Sequence, residues 1–243
     1  VADVEEFRRV LKAGMEVARE GEWVLTIGIR PSRPETGYGY IQQGEQQGER
    51  QGTAIFKAVA FHEKPDIDRA LKYLDSGNYL WNSGMFIWRV DLIRSLIASF
   101  LPQLNTGLAQ IAASIDSEEE EQVTAEVYQD LPRISVDYGI MEKCDEVLVI
   151  PASFGWDDVG SWTALGRYGE VDQQGNVLKA QGVFLDTSNC LVYAPNRVVA
   201  TLGVKDLLIV DDGDSLLICH KDRDQEIKKV VEALRQAGHD EVI

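Results

Sequence analysis

Between Ser153 and Trp162 the chain reads SFGWDDVGSW, two adjacent acids framed by two tryptophans and two glycines. Only one of two neighbouring carboxylates can easily point inward. A hard oxygen ligand such as Asp158 suits Mg²⁺, which takes one or two protein carboxylates and completes its shell with phosphate oxygens and water. The same acids are equally placed to cap a helix starting near Ser161. A second group, FHEKP (61–65), sets Glu63 beside Lys64 at a strand end closed by Pro65. An acid suits sugar hydroxyls and a lysine suits a phosphate. Neighbours on an extended strand face opposite ways, so the two share one contact only if the strand end twists. Two solvated surface charges would read the same way.

Three further stretches carry polar groups in apolar surroundings. In WNSGMF (81–86), Asn82 offers a donor and an acceptor, as a hydroxyl pair requires. Gly84 there makes room for a ligand or marks a bulge. RPSRPETGYGYI (30–41) follows a strand, its prolines stop regular structure, and Gly37 and Gly39 let the backbone approach a sugar or base beside Tyr38. A glycine-containing turn with core tyrosines is the simpler reading. SVDYGIMEK (135–143) puts Asp137 and Glu142 near a helix start, where Asp137 caps or braces the helix or touches a ligand.

The elements expected to position these groups alternate. Asp3 and Glu6 have capping-box spacing ahead of a helix whose apolar residues recur at helical intervals. WVLTIGI (23–29), TAIFKAVAF (53–61), YLWNSGMFIW (79–88) and VLVIPASF read as strands, with amphipathic helices between them. This pattern predicts an α/β layer with a largely parallel sheet, and SFGWDDVGSW then lies at a strand's carboxyl end, where such sheets bind ligands. QQGEQQGERQG, between Ile41 and Thr53, has no apolar anchor and is expected to be a mobile connector. After Tyr168, short apolar runs separated by turn residues suggest a small β-domain coiled as a rudimentary β-helix, closed by a helix with Gly238 at its end. The boundary is placed between 1–172 and 173–243.

With 40 acids against 24 bases the formal charge is −16, which argues against a nucleic-acid partner needing a broad basic face. Cys144, Cys190 and Cys219 are far apart, without metal spacing, and read as reduced thiols. No apolar run approaches the ~20 residues of a membrane span. The chain opens on VADVEEF, with neither an initiator Met nor a signal peptide, so a cytoplasmic location and loss of upstream sequence are expected.

Together and in this order, PETGYGYI, FHEKP, WNSGMF, SVDYGIMEK and WDDVGSW resemble the bacterial mannose-1-phosphate guanylyltransferases (GDP-mannose pyrophosphorylases). The resemblance implies a Rossmann-like, GT-A-like nucleotidyltransferase sheet, and transfer of a guanylyl group from GTP to mannose 1-phosphate with Mg²⁺. On this resemblance Gly37 and Tyr38 line the sugar and nucleotide cleft, Glu63 and Asn82 hold sugar hydroxyls, Lys64 holds the sugar phosphate and Asp158 the metal. Asp137 and Glu142 would stand behind them. Family members begin with a Gly-rich GGxGTRLWPLSR-type segment, and no such string occurs here. The chain is therefore expected to lack the N-terminal nucleotide-binding segment and to have little activity alone. A nucleotidyltransferase for another sugar phosphate or NTP, and a non-catalytic sugar-phosphate-binding or oligomerisation fragment, are the alternatives. Exposed edges in the β tail make a homodimer an expectation.

Overall fold

The computed structural model describes residues 1–242, which divide into two compact units, Val1–Trp156 and Asp157–Ile243. The first contains α1 (Val4–Glu20), β1 (Val24–Ile29), β2 (Tyr40–Arg50), β3 (Thr53–His62), α2 (Ile67–Ser76), β4 (Tyr79–Ile87), α3 (Val90–Phe100), α4 (Pro102–Ser114), α5 (Glu120–Asp130), α6 (Val136–Gly139) and β5 (Val147–Ala152). The second contains α7 (Trp162–Gly166), β6 (Val177–Leu185), β7 (Leu191–Leu202), β8 (Leu207–Asp211), β9 (Leu216–His220) and α8 (Ile227–Gln236).

In the first unit the strands close on themselves in the order β1-β4-β2-β3-β5. The largely parallel sheet expected from the alternating pattern is not what forms. Only β1 and β5 pair in parallel; β1 with β4, β2 with β3, β2 with β4 and β3 with β5 are antiparallel. β1 and β5 are almost entirely apolar, Thr26 being the exception, because both their faces are covered. Leu25, Ile27, Ile29, Leu148 and Ile150 pack with Val10 and Val17 of α1, while Val24, Val147 and Val149 pack toward Leu92, Ile93 and Leu96 of α3. Each such side chain, fully buried, contributes about 1.5–3 kcal/mol.

The capping box of α1 forms by half. Asp3 Oδ1 accepts from Glu6 N–H at 2.9 Å, but Asp3 N–H goes to Phe154 O and Glu6 Oε1 accepts from Ser153 N–H at 3.0 Å. Tertiary contacts thus replace the reciprocal bond and tie the start of α1 to the residues after β5.

The segment expected to be a mobile connector is ordered as β2, paired with β3 across a two-residue turn. Gln51 and Gly52 both take positive φ, 53° and 68°, the pattern of a tight hairpin turn. Its polar composition suits a strand with an exposed face, and the backbone hydrogen bonds to β3 supply the order that side-chain burial does not. DLIRSLIASFLPQL (91–104), whose amphipathic pattern reads as one helix, is two helices, because Pro102 cannot continue α3 and starts α4.

In the second unit the rudimentary β-helix is corrected to an open four-stranded sheet, β6-β7-β8-β9. β6, β7 and β8 pair in parallel, but β9 returns antiparallel on β8. The reason is the turn at 211–215, where Ser215 N–H donates to Asp212 Oδ1 at 3.0 Å and reverses the chain. Buried Asn176 fastens the entry to β6: its amide donates to Asp172 and to Thr187 O, and its carbonyl accepts from Cys190 N–H. α8 closes as expected, with Gly238 N–H on Arg235 O and His239 N–H on Leu234 O. Among the described residues no helix is long and apolar enough to cross a membrane.

Candidate functional site

Four of the expected residues meet in the first unit. Asn82, on β4, lies across from Gly28 of β1, and its N–H donates to Gly39 O at 2.8 Å. Its Oδ1 accepts from Gly84 N–H at 3.0 Å, and its Nδ2 donates to Asp137 Oδ1 at 2.8 Å. Asp137 therefore reaches across to β4, while Ser135 caps α6. Gly84 marks an irregularity in β4: its φ is 68°, the β1–β4 register shifts between Thr26 and Gly28, and Ser83 Oγ donates to Ile27 O at 2.6 Å.

Glu63 and Lys64 do share a contact, at 2.8 Å. β3 ends at His62, and Lys64 has a φ of 41°, the twist that brings both side chains to one side. The hydrogen bond from the Lys64 ammonium to the Glu63 carboxylate pushes Lys64 above the usual lysine pKa, with Tyr138 and Asp137 adding to the shift. Glu63 Oε2 faces Gly39 so closely that a Cβ there would lie 2.7 Å from it and 3.4 Å from Asn82 Cβ. Gly39 is the residue that admits this close approach. The cluster is thus two acids, one cation and one amide around a glycine backbone, a set that can bind a polyhydroxylated anion.

The 30–39 loop is braced by residues not singled out in the sequence. Arg33 and Glu35 form an ion pair at 3.0 Å, Glu35 Oε1 accepts from Gly37 N–H at 3.1 Å, and the Tyr40 hydroxyl donates to Glu35 O at 2.9 Å. Burial pushes the Tyr40 phenol up. The Arg33 guanidinium lies 4.8 Å from the Trp81 ring, and Tyr38 packs edge-on to Trp81 and Trp156. Tyr38 is buried, so its ring supports the loop. Their signal was the charge pair two residues apart in SRPET, beside aromatics. Glu142 stands apart in a 3-10 turn, exposed, bordering a cleft along Lys57–Phe61.

In the second unit the adjacent acids separate. Asp157, whose side chain is 5 % exposed, pairs with Arg167 at 2.6 Å and accepts from Val159 N–H. Asp158 is exposed and its Oδ1 accepts from Gly160 N–H at 2.9 Å. Neither acid caps α7; Ser161 does, accepting from Ala164 N–H. Among the described residues no three His, Cys, Asp or Glu side chains converge as a metal cluster. One exposed carboxylate still fits Mg²⁺, which needs few protein ligands when phosphate oxygens and water supply the rest.

The nucleotidyl transferase family model matches residues 3–174, and the MannoseP isomerase/GMP-like beta-helix domain model matches 170–234. The chain is similar to mannose-1-phosphate guanylyltransferases of Escherichia coli K12 (36% identity, 99% of this chain and 50% of that protein) and Klebsiella pneumoniae (38%, 95% and 49%). It is also similar to a crystal structure from Thermus thermophilus, described as a mannose-1-phosphate geranyltransferase (40% identity, TM-score 0.81, 97% of this chain and 67% of that one). The chain spans about half the length of the curated relatives it matches. One expectation is overturned: the N-terminal nucleotidyl transferase domain is not lacking, since its match starts at residue 3. The absence of one Gly-rich string was too narrow a criterion, because the match draws on the pattern from α1 through β5 and beyond. With more than half of its residues matched, the chain belongs to the nucleotidyl transferase family.

Proposed function

We propose that the protein serves guanylyl transfer from GTP to mannose 1-phosphate, giving GDP-mannose and pyrophosphate. The observation that carries this reading is the convergence of Glu63, Lys64, Asn82 and Asp137 on Gly39. Asn82 retains one amide N–H and one carbonyl lone pair beyond its internal bonds, and Glu63 retains acceptor capacity, so both can hold sugar hydroxyls. Lys64, exposed at its tip, holds the sugar phosphate. Asp137 orients the Asn82 amide. Gly37 and Tyr38 shape the neighbouring wall, and Glu142 has a supporting role.

The reaction needs no protein nucleophile, because the phosphate of the sugar is itself the nucleophile toward the α-phosphorus, and pyrophosphate leaves. Positioning and charge neutralisation are what the protein supplies. Asp158 is the residue that would hold Mg²⁺, which when bound neutralises charge on the phosphates. The part played by the nucleotidyl transferase domain is proposed to end at residue 172, where the two family matches meet.

The test is pyrophosphate release by this chain with mannose 1-phosphate and GTP, set against other NTPs and other sugar 1-phosphates. The expectation of little activity alone rested only on a lacking N-terminal segment, and that premise is overturned. The expected result is release with GTP and mannose 1-phosphate in Mg²⁺, with Lys64→Ala raising KM for the sugar phosphate; no release by this chain would restore the expectation of little activity. Turnover with a different pair would reassign the substrates, and binding of sugar phosphate without turnover by any pair would leave a binding module in place of an enzyme.

A further inference from the structure

Seven non-glycine residues among those described take a positive φ. Five have a local reason: Gln51 sits in a tight hairpin turn, and Asp116, Asp186, Asn189 and Asp206 are of the types that tolerate left-handed backbone. The other two stand at the positions proposed to meet ligand. Lys64, at 41°, is one of them, and Val159, at 51°, directly follows Asp158. For a β-branched side chain this conformation is an outlier. Val159 is 46% exposed, so packing does not offset the strain. Hydrogen bonds to Asp157 do. Arg167 grips Asp157 Oδ2 through Nε at 2.9 Å and through its terminal nitrogen at 2.6 Å, which leaves Oδ1 to accept from Val159 N–H at 3.0 Å.

We propose that Val159 is a positioning residue: the Asp157–Arg167 pair holds it in left-handed backbone, and that backbone sets the direction of the Asp158 carboxylate. The proposal rests on the reading of Asp158 as the residue that holds Mg²⁺. The left-handed step at Val159 turns Gly160 N–H back onto Asp158 Oδ1, at 2.9 Å. An extended Val159 would carry that amide away and release the carboxylate to rotate. Gly160 completes the arrangement, because a Cβ there would lie 2.6 Å from Asp158 Oδ2 and push it aside. A carboxylate held in one orientation has less freedom to lose when it takes a cation. Strained backbone that surrounding bonds over-determine is a recurrent feature of such sites. The two adjacent acids thus divide the work, Asp157 holding the turn and Asp158 being aimed by it.

Titration of the chain with Mn²⁺ alone, a paramagnetic substitute for Mg²⁺, tests this through the broadening of the backbone amide signals of residues 157–161. Those signals should broaden, and Asp158→Asn should abolish the effect. Arg167→Gln should raise the Mn²⁺ concentration needed at least about threefold. Arg167→Gln with Val159→Asn should return it to within about twofold of the unsubstituted chain, because asparagine takes left-handed backbone without the clamp. Loss of folding cannot imitate that rescue. Val159→Asn alone should raise the melting temperature and keep the broadening. No broadening at this turn, or broadening that survives Asp158→Asn, overturns the metal reading and this proposal together. Where that reading holds, indifference to Arg167→Gln, failure of Val159→Asn to rescue it, or a melting temperature lowered by Val159→Asn overturns the proposal alone.

Discussion

Replacing Asp157 and replacing Asp158 remove the same chemical group from adjacent positions of one turn, and the structure predicts different consequences. Asp157 is buried against Arg167 and holds the Val159 amide. Asp157→Ala should therefore destabilise the Asp157–Ile243 unit by about 2–3 kcal/mol, the lower side of a broken buried pair because Arg167 is partly exposed. Asp158→Asn should change stability by less than about 0.5 kcal/mol while lowering turnover. Denaturant melts read the first effect and pyrophosphate release the second; equal destabilisation by both would remove the distinction. Lys64 provides a pH test. Its folded-state pKa is raised by Glu63, so the stabilisation from this pair is fully present below the usual lysine value and is lost as pH rises through the raised one. With Lys64 fully charged, its part in sugar-phosphate affinity should stay constant between about pH 7 and pH 9.5. Calorimetry across that range checks it, and a steady decline there would mean that the Lys64 pKa is lowered and not raised.

At the scale of elements, β2 shows how a polar sequence becomes a strand. Its order depends on the turn at Gln51 and Gly52, where Gly52 has a φ of 68° and open space around it. Space alone does not license a side chain there, because an L-residue in the left-handed region costs roughly 1–2 kcal/mol. Gly52→Val should destabilise the hairpin by about that amount and raise hydrogen exchange in β2 and β3 before it affects β1 and β5. Uniform protection across all four strands would show that β2 is held by something other than its turn.

At the scale of the molecule, the acid excess is unevenly answered. Ion pairs such as Arg50–Glu20 and Arg223–Glu226 lie at the surface, and acids outnumber bases too far for such pairs to offset their mutual repulsion. Screening should therefore stabilise the fold: raising NaCl from about 20 mM to about 200 mM shortens the Debye length severalfold and should raise the melting temperature. A melting temperature that falls with salt would show that the pairs outweigh the repulsion.

The sequence by itself determined the local pieces: the Asp3 cap, the apolar runs of β1 and β5, the Gly238 terminus of α8, and the polar groups at strand ends. Those follow from propensity, capping chemistry and periodicity, which act over a few residues. Pairing partners were decided only by the tertiary structure. β1 alternates with helices as a parallel sheet would require, yet β4 lies antiparallel beside it, because an apolar run buried on both faces looks the same in either direction. QQGEQQGERQG looked unanchored because its hydrogen-bonding partner, β3, lies across a turn and not within the segment. Glu6 was placed correctly for a capping box and used elsewhere, since Ser153, 147 residues away, competes for its carboxylate. Likewise nothing in FHEKP alone could say whether Glu63 and Lys64 meet; the left-handed backbone at Lys64 did.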